Sequence, residues 1–163
     1  MAFDFGKPLS GVPFENLYHI GVVVEEIEEA MRQVAEQIGV TWAPRRTASV
    51  TVREGPGVAP IALEVVYSRN GPPFIELIEG KGSGVWSAAG GSRLHHLGIY
   101  VDDLVAETAR LTRLGMTPEA LGVGANPDDL APSLFSYMNS PFGIRIELVD
   151  AKGRDGLLAW TRG

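Results

Sequence analysis

A short sequence occurs twice in this chain, at residues 17–27 and again at residues 94–104. Each copy runs through a hydrophobic residue, an aromatic ring, a His, a second hydrophobic residue, a Gly, three mostly β-branched residues and two acids. Self-similarity of this kind is typical of a duplicated structural unit. Each copy is followed further on by an apolar run with a central Glu, at residues 74–78 and 145–149. The sequence therefore indicates two copies of one module.

Each module is predicted to contain one strand, one helix and about three further strands, which is an α+β arrangement. The β-branched residues after each His favour a strand. Apolar residues at three- and four-residue steps over 25–38 predict a helix that ends at Gly39, and Asp102 or Asp103 is predicted to cap the second helix. The predicted boundaries are an N-terminal arm at 1–16, a first module at 17–80, a Gly-rich linker at 81–93, a second module at 94–150 and a C-terminal tail without a clear period at 151–163.

The composition limits the kinds of site that the chain can carry. Its 163 residues, 45% apolar and 21% charged, suit about one ordinary soluble domain. There is no Cys, which excludes disulfides, thiolate metal sites and a cysteine nucleophile. The net charge of −6 disfavours nucleic-acid binding, and no apolar run reaches the ~20 residues of a membrane span. No signal peptide is recognisable, so the protein is expected to be cytoplasmic.

Strand alternation places the repeated His residues and the two strand Glu residues on one face. Successive side chains point to opposite faces of a strand, so His19 and His96 each share a face with the Gly two residues later, and Glu76 and Glu147 point to the same side. A single inward His is more often a core residue, but four unpaired polar groups buried together would cost several kcal/mol. The set predicts one divalent cation per chain, with Zn, Co, Mn, Ni, Fe and Mg as candidates. His95 has the opposite parity and is expected to face away.

The repeat and the residues between the modules carry a family resemblance. Residues 75–79, a Gly-rich spacer, residues 94–96 and residues 101–104 form the most specific part. Together they resemble the vicinal oxygen chelate superfamily, which includes glyoxalase I, extradiol dioxygenases and bleomycin-resistance binding proteins. The run is most similar to the methylmalonyl-CoA epimerase branch. The resemblance covers about residues 17–150 and implies two βαβββ modules that form a curved, barrel-like mixed sheet.

The resemblance also implies a ligand set and a class of reaction. The family's metal positions fall on His19, Glu76, His96 and Glu147. The epimerase usually has Gln in place of Glu76, glyoxalase I has a nearby Asn that this chain lacks, and extradiol dioxygenases use only three ligands. The implied function is a divalent-metal-dependent epimerase, isomerase or lyase that acts through a metal-stabilised enolate on a small vicinal-oxygen substrate. The alternatives are a non-catalytic binding or resistance protein of the same fold and, less favoured, an extradiol-type dioxygenase.

The residues that would move the proton and hold the substrate can also be proposed. Glu64, within the aliphatic run 61–67, best matches the base of the epimerase, although a solvent-exposed strand Glu is an equal possibility. Glu147 is the competing base, because a ligand carboxylate can leave the metal and accept a proton. Tyr100, Phe74 and Arg145 share the inward parity and are candidate pocket walls, with Arg145 able to bind a substrate carboxylate.

The assembly is predicted from the sheet and from the family. Two βαβββ units would leave open sheet edges, and the superfamily commonly pairs chains, so a homodimer is expected. Whether the four metal ligands come from one chain or from two stays open at this point. The expected partner is a small-molecule substrate, and its identity depends on loops whose shapes the sequence does not reveal.

Overall fold

Two βαβββ modules follow one another along the chain. The computed structural model describes residues 14–124, 126 and 129–163, so most of the predicted N-terminal arm lies outside the described residues. A third helix, α3 (Arg154–Arg162), follows the second module. The first module contains β1 (Leu17–Val24), α1 (Ile27–Ile38), β2 (Arg46–Glu54), β3 (Gly57–Tyr67) and β4 (Phe74–Glu79), and the second contains β5 (Arg93–Val101), α2 (Leu104–Arg113), β6 (Thr117–Val123), β7 (Pro132–Asn139) and β8 (Arg145–Asp150).

The strands of both modules close into a single barrel in the order β1-β4-β3-β2-β6-β7-β8-β5. Within each module the His strand pairs in parallel with the Glu strand, as β1 with β4 and β5 with β8. The modules join through antiparallel pairing of β1 with β5 and of β2 with β6. The predicted fold class, two modules in a barrel-like mixed sheet, is confirmed. The two His strands lie side by side as a result.

Helices α1 and α2 cover the outer face of the barrel. Ile27 of α1 packs with Val24, Val66 and Leu77. This is the apolar face that the helical periodicity predicted. Helix α1 ends at Gly39, whose φ of 74° lies in the left-handed region that favours Gly at a C-terminal cap. Of the two acids before α2, Asp103 is the cap, because its side chain accepts a hydrogen bond from the Ala106 amide at 2.9 Å.

Part of the barrel interior is apolar, and the linker contributes to it. Trp86, from the segment predicted as a linker, is 1% exposed and packs against Phe135 and Tyr137. The Trp86 indole donates a hydrogen bond to the Tyr137 hydroxyl at 3.3 Å. The segment between the modules is therefore anchored in the core rather than a solvated connection. The other buried members of this cluster are Val23, Val52, Leu63, Val65, Ile78 and Ala120.

The C-terminal tail differs from the sequence expectation. Residues 154–162 form helix α3, although no clear period was recognised there. Trp160 of α3 donates its indole N–H to the Pro44 carbonyl at 2.7 Å, and Arg69 donates to the Thr161 carbonyl at 3.2 Å. Leu157 and Leu158 pack with the aromatic residues at one end of the barrel. Long-range contacts therefore stabilise this short helix.

Closure of the barrel bears on the predicted homodimer. Among the described strands each one has a neighbour on both sides, so the argument from open sheet edges does not apply. The homodimer stays a prediction that rests on the frequent pairing of chains in the superfamily that the sequence resembles. Within the part of the chain that the structure describes, no helix combines the length and the hydropathy that crossing a membrane requires.

Candidate metal centre

The structure brings together the four residues predicted as metal ligands. His19 of β1, Glu76 of β4, His96 of β5 and Glu147 of β8 each offer one donor atom, and these atoms all lie within 4.8 Å of one another. All four side chains are buried. All four donors of the cluster come from the same chain in this structure.

The register of the His strands explains the spacing of His, one hydrophobic residue and Gly. In the antiparallel pairing of β1 and β5, His19 lies opposite Gly98 and Gly21 lies opposite His96. A Cβ atom built on Gly98 would lie 2.0 Å from Cε1 of His19, and one built on Gly21 would lie 2.0 Å from Cε1 of His96. Each Gly therefore leaves the space that the imidazole of the other module occupies.

The same glycines align the carboxylates. In the parallel pairing of each module, Gly21 lies beside Glu76 and Gly98 lies beside Glu147. Each Gly thus separates the His of the other module from the Glu of its own module. The two halves of the cluster are related by the duplication, and the donors come from adjacent positions on four neighbouring strands.

The distances in the cluster suit a common cation. Nε2 of His19 lies 3.1 Å from Glu147 Oε2 and 3.4 Å from Glu76 Oε2, and Nε2 of His96 lies 3.2 Å from Glu76 Oε2 and 3.3 Å from Glu147 Oε2. Donors about 2.1 Å from one ion and at right angles to each other would be about 3 Å apart. Glu76 Oε2 is buried and has no hydrogen-bond partner in the part of the chain that the structure describes. A divalent ion between the four donors would satisfy it, so the residues fit a metal of this kind.

The charges in the cluster shift the pKa of each group. Burial would lower the pKa of His19, but the carboxylates of Glu76 and Glu147 outweigh burial and raise it to about 9. Burial likewise opposes the change at His96, whose pKa is raised chiefly by Glu147. Burial would raise the pKa of Glu76 and of Glu147, yet the adjacent imidazoles lower both. Without a cation, the carboxylates therefore favour the protonated form of both imidazoles, and the imidazoles favour the charged form of both carboxylates.

A cavity of about 390 Å³ reaches the cluster from the C-terminal helix. Glu76 and Glu147 line it at the cluster, and Arg46 and Trp160 line it at α3. The guanidinium of Arg46 lies 4.5 Å from the centroid of the Trp160 ring. Glu147 also lines a second cavity, of about 440 Å³. The walls between α3 and the cluster are mostly apolar and aromatic: Ala48, Val50, Leu63, Val65, Tyr67, Ile78, Trp86, Phe135 and Tyr137.

Glu64 does not belong to this site. Its strand neighbours Leu63 and Val65 line the cavity, so alternation turns Glu64 to the outer face of the barrel. Glu64 accepts a hydrogen bond from the Thr47 hydroxyl at 2.6 Å and lies 3.5 Å from Nε of Arg45. The aliphatic run around Glu64 was read as a buried setting, but it buries only the alternate residues. The structure therefore separates the predicted base from the metal cluster.

The predicted substrate residues Tyr100, Phe74 and Arg145 do not line the 390 Å³ cavity. Tyr100 and Phe74 line a different cavity, of about 360 Å³, that none of the four cluster residues lines. The Tyr18 ring stacks on Tyr100 with centroids 3.7 Å apart and lies edge-on to His19. Arg145 binds Glu119, with Nε 2.5 Å from Oε2. Strand alternation predicted the correct face for Glu147. It does not predict how far along the barrel axis a side chain lies.

His95 faces His96 rather than away from it. The register of β1 and β5 shifts between Gly21–His96 and Val22–Leu94, which leaves His95 as the extra residue of a β-bulge. A bulge re-aims a side chain relative to regular alternation. Nδ1 of His95 lies 2.8 Å from Nδ1 of His96. Simple alternation therefore gave the wrong face for His95.

Comparisons with known proteins agree with the geometry of the fold. A profile of the family described as the Glyoxalase/Bleomycin resistance protein/Dioxygenase superfamily matches residues 18–131. A search of curated proteins found no significant match. The profile covers most of both modules, including three of the four cluster residues, His19, Glu76 and His96.

Several solved structures share the fold at low sequence identity. Methylmalonyl-CoA epimerase from Mycobacterium tuberculosis aligns with a TM-score of 0.56 and 17% identity, over 88% of this chain and 92% of that chain. Methylmalonyl-CoA epimerase from Streptomyces coelicolor, in complex with 2-nitronate-propionyl-CoA, aligns with a TM-score of 0.54 and 14% identity, over 83% and 97%. A mutant of 4-hydroxymandelate synthase from Streptomyces coelicolor aligns with a TM-score of 0.53 and 16% identity, over 89% of this chain and 52% of that chain. These similarities are similarities of fold.

Proposed function

Because the chain belongs to the glyoxalase/bleomycin resistance protein/dioxygenase superfamily, we propose that it is a divalent-metal-dependent epimerase, isomerase or lyase. The observation that carries this proposal is the buried set of two His and two Glu donors at a cavity of about 390 Å³. His19, Glu76, His96 and Glu147 would hold the ion. A ligand set of two imidazoles and two carboxylates suits a divalent cation and leaves it with little net charge.

The proposed chemistry is removal of a proton from a carbon next to a carbonyl group. A divalent ion at this site would supply Lewis acidity to two vicinal oxygens of a substrate and so favour the enolate form. The protein supplies the rest of the site. The apolar walls of the cavity exclude water from the reacting carbon, and the Arg46 guanidinium near α3 offers a positive charge to an anionic part of the substrate.

Glu147 is the residue that we propose for proton transfer. It lines both the 390 Å³ cavity and the 440 Å³ cavity, whereas Glu76 lines only the first of them. Glu64, the competing base, faces Arg45 on the outer surface of the barrel. A carboxylate that reaches the substrate space and also borders the cluster can accept a proton from the substrate carbon and return it.

Tyr67 supports the arrangement of the other carboxylate. It pairs with Glu76 in the register of β3 and β4. Burial, with the negative charge of Glu76 next, holds the pKa of Tyr67 well above its usual range. The Tyr67 hydroxyl therefore stays protonated and available as a donor in the cavity. We therefore assign Glu76 the role of a metal ligand and Glu147 the proton transfer.

The related structures suggest which substrates to test first. One of them, the Streptomyces coelicolor epimerase, holds 2-nitronate-propionyl-CoA, and another epimerase structure holds methylmalonyl-CoA. A 2-substituted acyl thioester is therefore the first candidate, and 2-hydroxy ketones are the second. Both classes present two oxygens near a carbon acid.

The test is exchange of a substrate proton with solvent deuterium. The protein is loaded with one divalent ion per chain and incubated in D₂O with each candidate, and the α-proton is followed by NMR. Glu147→Gln should lower the exchange rate about 10²–10⁴-fold, the usual contribution of a positioned general base. Glu64→Gln is the matched control and should exchange at the wild-type rate.

The outcomes separate the proposed enzyme from its alternatives. Wild-type exchange in Glu147→Gln, with loss in Glu64→Gln, would reject the assignment of the base. Tight binding of a candidate without any exchange would instead identify a small-molecule binding protein. Turnover that requires dioxygen would favour the dioxygenase alternative.

A further inference from the structure

A chain of hydrogen bonds leads from the candidate metal centre to the segment between the modules. Nδ1 of His96 lies 2.8 Å from Nδ1 of His95, and Nε2 of His95 lies 2.8 Å from the Val85 carbonyl oxygen. His95 and His96 are both buried. The neighbouring Trp86 is 1% exposed and fixes the position of this segment in the core. The carbonyl of Val85 is therefore a fixed acceptor at the end of this series of hydrogen bonds.

The carbonyl determines the direction of both hydrogen bonds. A carbonyl oxygen only accepts, so Nε2 of His95 carries the hydrogen and donates it to Val85. A neutral imidazole carries a single ring hydrogen, so when that hydrogen is on Nε2 the Nδ1 atom of His95 has a lone pair. Nδ1 of His96 must then donate. The neutral form of His96 consequently has its lone pair on Nε2, the nitrogen that lies 3.2 Å from Glu76 Oε2 and 3.3 Å from Glu147 Oε2.

The two His donors of the cluster differ in this respect. Nδ1 of His19 is buried and has no hydrogen-bond partner among the described residues. The residue before His19 is Tyr18, where the second module has His95. The same register shift occurs at both positions, because Tyr18 is the extra residue between the pairs Leu17–Ile99 and His19–Gly98. Both bulges turn an aromatic side chain towards the cluster, but among the described residues only His95 forms a hydrogen bond with its ligand neighbour.

We propose that His95 is a positioning residue, which holds the His96 ring with Nε2 directed at the metal through the hydrogen bonds from His96 to His95 and from His95 to Val85. The proposal rests on the metal site of the proposed function. A hydrogen bond to the second nitrogen of a ligand His fixes its tautomer and ring orientation, and loss of such a partner typically lowers metal affinity about 10–100-fold. Because of the bulge, the hydrogen-bond partner of His96 is His95, the residue directly before it in the sequence.

The first measurement reads the hydrogen positions directly. Protein labelled with ¹⁵N at His is studied by NMR, both without metal and with one equivalent of Zn²⁺. His95 should carry its hydrogen on Nε2, and His96 should carry one on Nδ1 in both samples. A His95 ring with a hydrogen on Nδ1, or a zinc-bound His96 without one, would overturn the proposal. This readout needs no variant and no enzymatic activity.

The second measurement compares Zn²⁺ affinities by competition with a chelator. His95→Leu removes the acceptor, so its affinity should fall about 10–100-fold. His95→Gln keeps an oxygen that can accept and an amide that can donate to Val85, so it should recover most of the loss. Thr108→Val is the control for general destabilisation, because it removes a buried hydroxyl contact of 2.7 Å to Ser136 away from the cluster. Its Zn²⁺ affinity should stay at the wild-type value.

The outcomes distinguish the role of His95 from the existence of the metal site. Wild-type Zn²⁺ affinity in folded His95→Leu would reject the role of His95 while leaving the metal site in place. An equal loss of affinity in His95→Leu and Thr108→Val would also reject it, because the effect would then be one of stability. Absence of divalent-metal binding by the wild-type protein would instead reject the metal site itself.

Discussion

Replacement of Gly98 by Ala tests whether the glycines of the repeat create the space for the imidazoles. The backbone of Gly98 lies outside the left-handed region, so Ala introduces no backbone strain. Its Cβ would lie 2.0 Å from Cε1 and 2.2 Å from Nδ1 of His19. Ordinary contact begins at 3.4 Å, so the ring must move by about 3.4 − 2.0 = 1.4 Å, unless the strands separate.

This displacement is large compared with the tolerance of a metal site. Metal–ligand distances are acceptable only within about 0.2 Å, so His19 in Gly98→Ala cannot keep its place beside Glu147 and His96. We therefore expect Zn²⁺ affinity to fall by at least the ~10–100-fold that loss of an outer partner causes. Overpacking destabilises by ~1–3 kcal/mol, and about 0.4–1 kcal/mol is offset because Ala restricts the unfolded chain. For a chain of this size, a net loss of roughly 1–2 kcal/mol lowers the Tm by about 2–8 °C.

Gly122→Ala is the matched control. A Cβ atom on Gly122 would lie 2.7 Å from the ring of Phe135, which is a steric conflict outside the ligand set. The required shift is about 3.4 − 2.7 = 0.7 Å, half of that at Gly98. The Tm of Gly122→Ala should therefore also fall, by a smaller amount, while Zn²⁺ affinity stays at the wild-type value. The measurements are thermal unfolding of the metal-free protein and chelator competition for Zn²⁺. Unchanged affinity in Gly98→Ala would refute the argument that the glycine spacing positions the imidazoles.

The remaining predictions concern pH dependence, stability and assembly. The pKa of His19 is about 9 in the folded protein and 6.5 in the reference state. The stability that its proton contributes is therefore complete below pH 6.5 and is lost as the pH rises through about 9. The Tm of the metal-free protein should fall across this range. Zn²⁺ affinity should rise over the same range, because binding requires a deprotonated imidazole. Asp103→Ala removes the cap of α2 and should cost about 0.5–2 kcal/mol of unfolding free energy in denaturant titrations without an effect on Zn²⁺ affinity. Glu64→Gln should change the free energy of unfolding by no more than about 0.5 kcal/mol, as expected for a substitution on the outer face. Sedimentation at micromolar concentration should show a homodimer, and a monomer would contradict this prediction.

The sequence predicted the cluster because the duplication and strand alternation are both local rules. The repeat identified equivalent positions, and a period of two placed His19, His96, Glu76 and Glu147 on one face. The structure brings these four residues together. Neither rule depends on contacts between distant residues, so both still hold in the folded barrel.

The incorrect predictions depended on information that is not local. His95 was assigned to the wrong face because a bulge adds one residue to β5 relative to β1, and a bulge is a property of the strand pair. Glu64 was placed by resemblance of an aliphatic run, whereas its face follows from which neighbours line the cavity. Helix α3 was missed because it is short and contains Gly156. Its stability comes from contacts such as the Trp160 indole with the Pro44 carbonyl.

The duplication produces a symmetric set of donors, but the residues around them make the two halves chemically different. Each half contributes one His, one Glu and one Gly, and each Gly separates the Glu of its own module from the His of the other module. Each half also has a bulge directly before its His. The symmetry ends there, because His95 forms a hydrogen bond with Nδ1 of His96, whereas Nδ1 of His19 has no hydrogen-bond partner among the described residues. The second module therefore holds the fixed ligand, His96, and also the carboxylate that borders both cavities, Glu147. We infer that the first module mainly completes the ligand set, whereas the second module both orients a donor and provides the group that exchanges protons with the substrate.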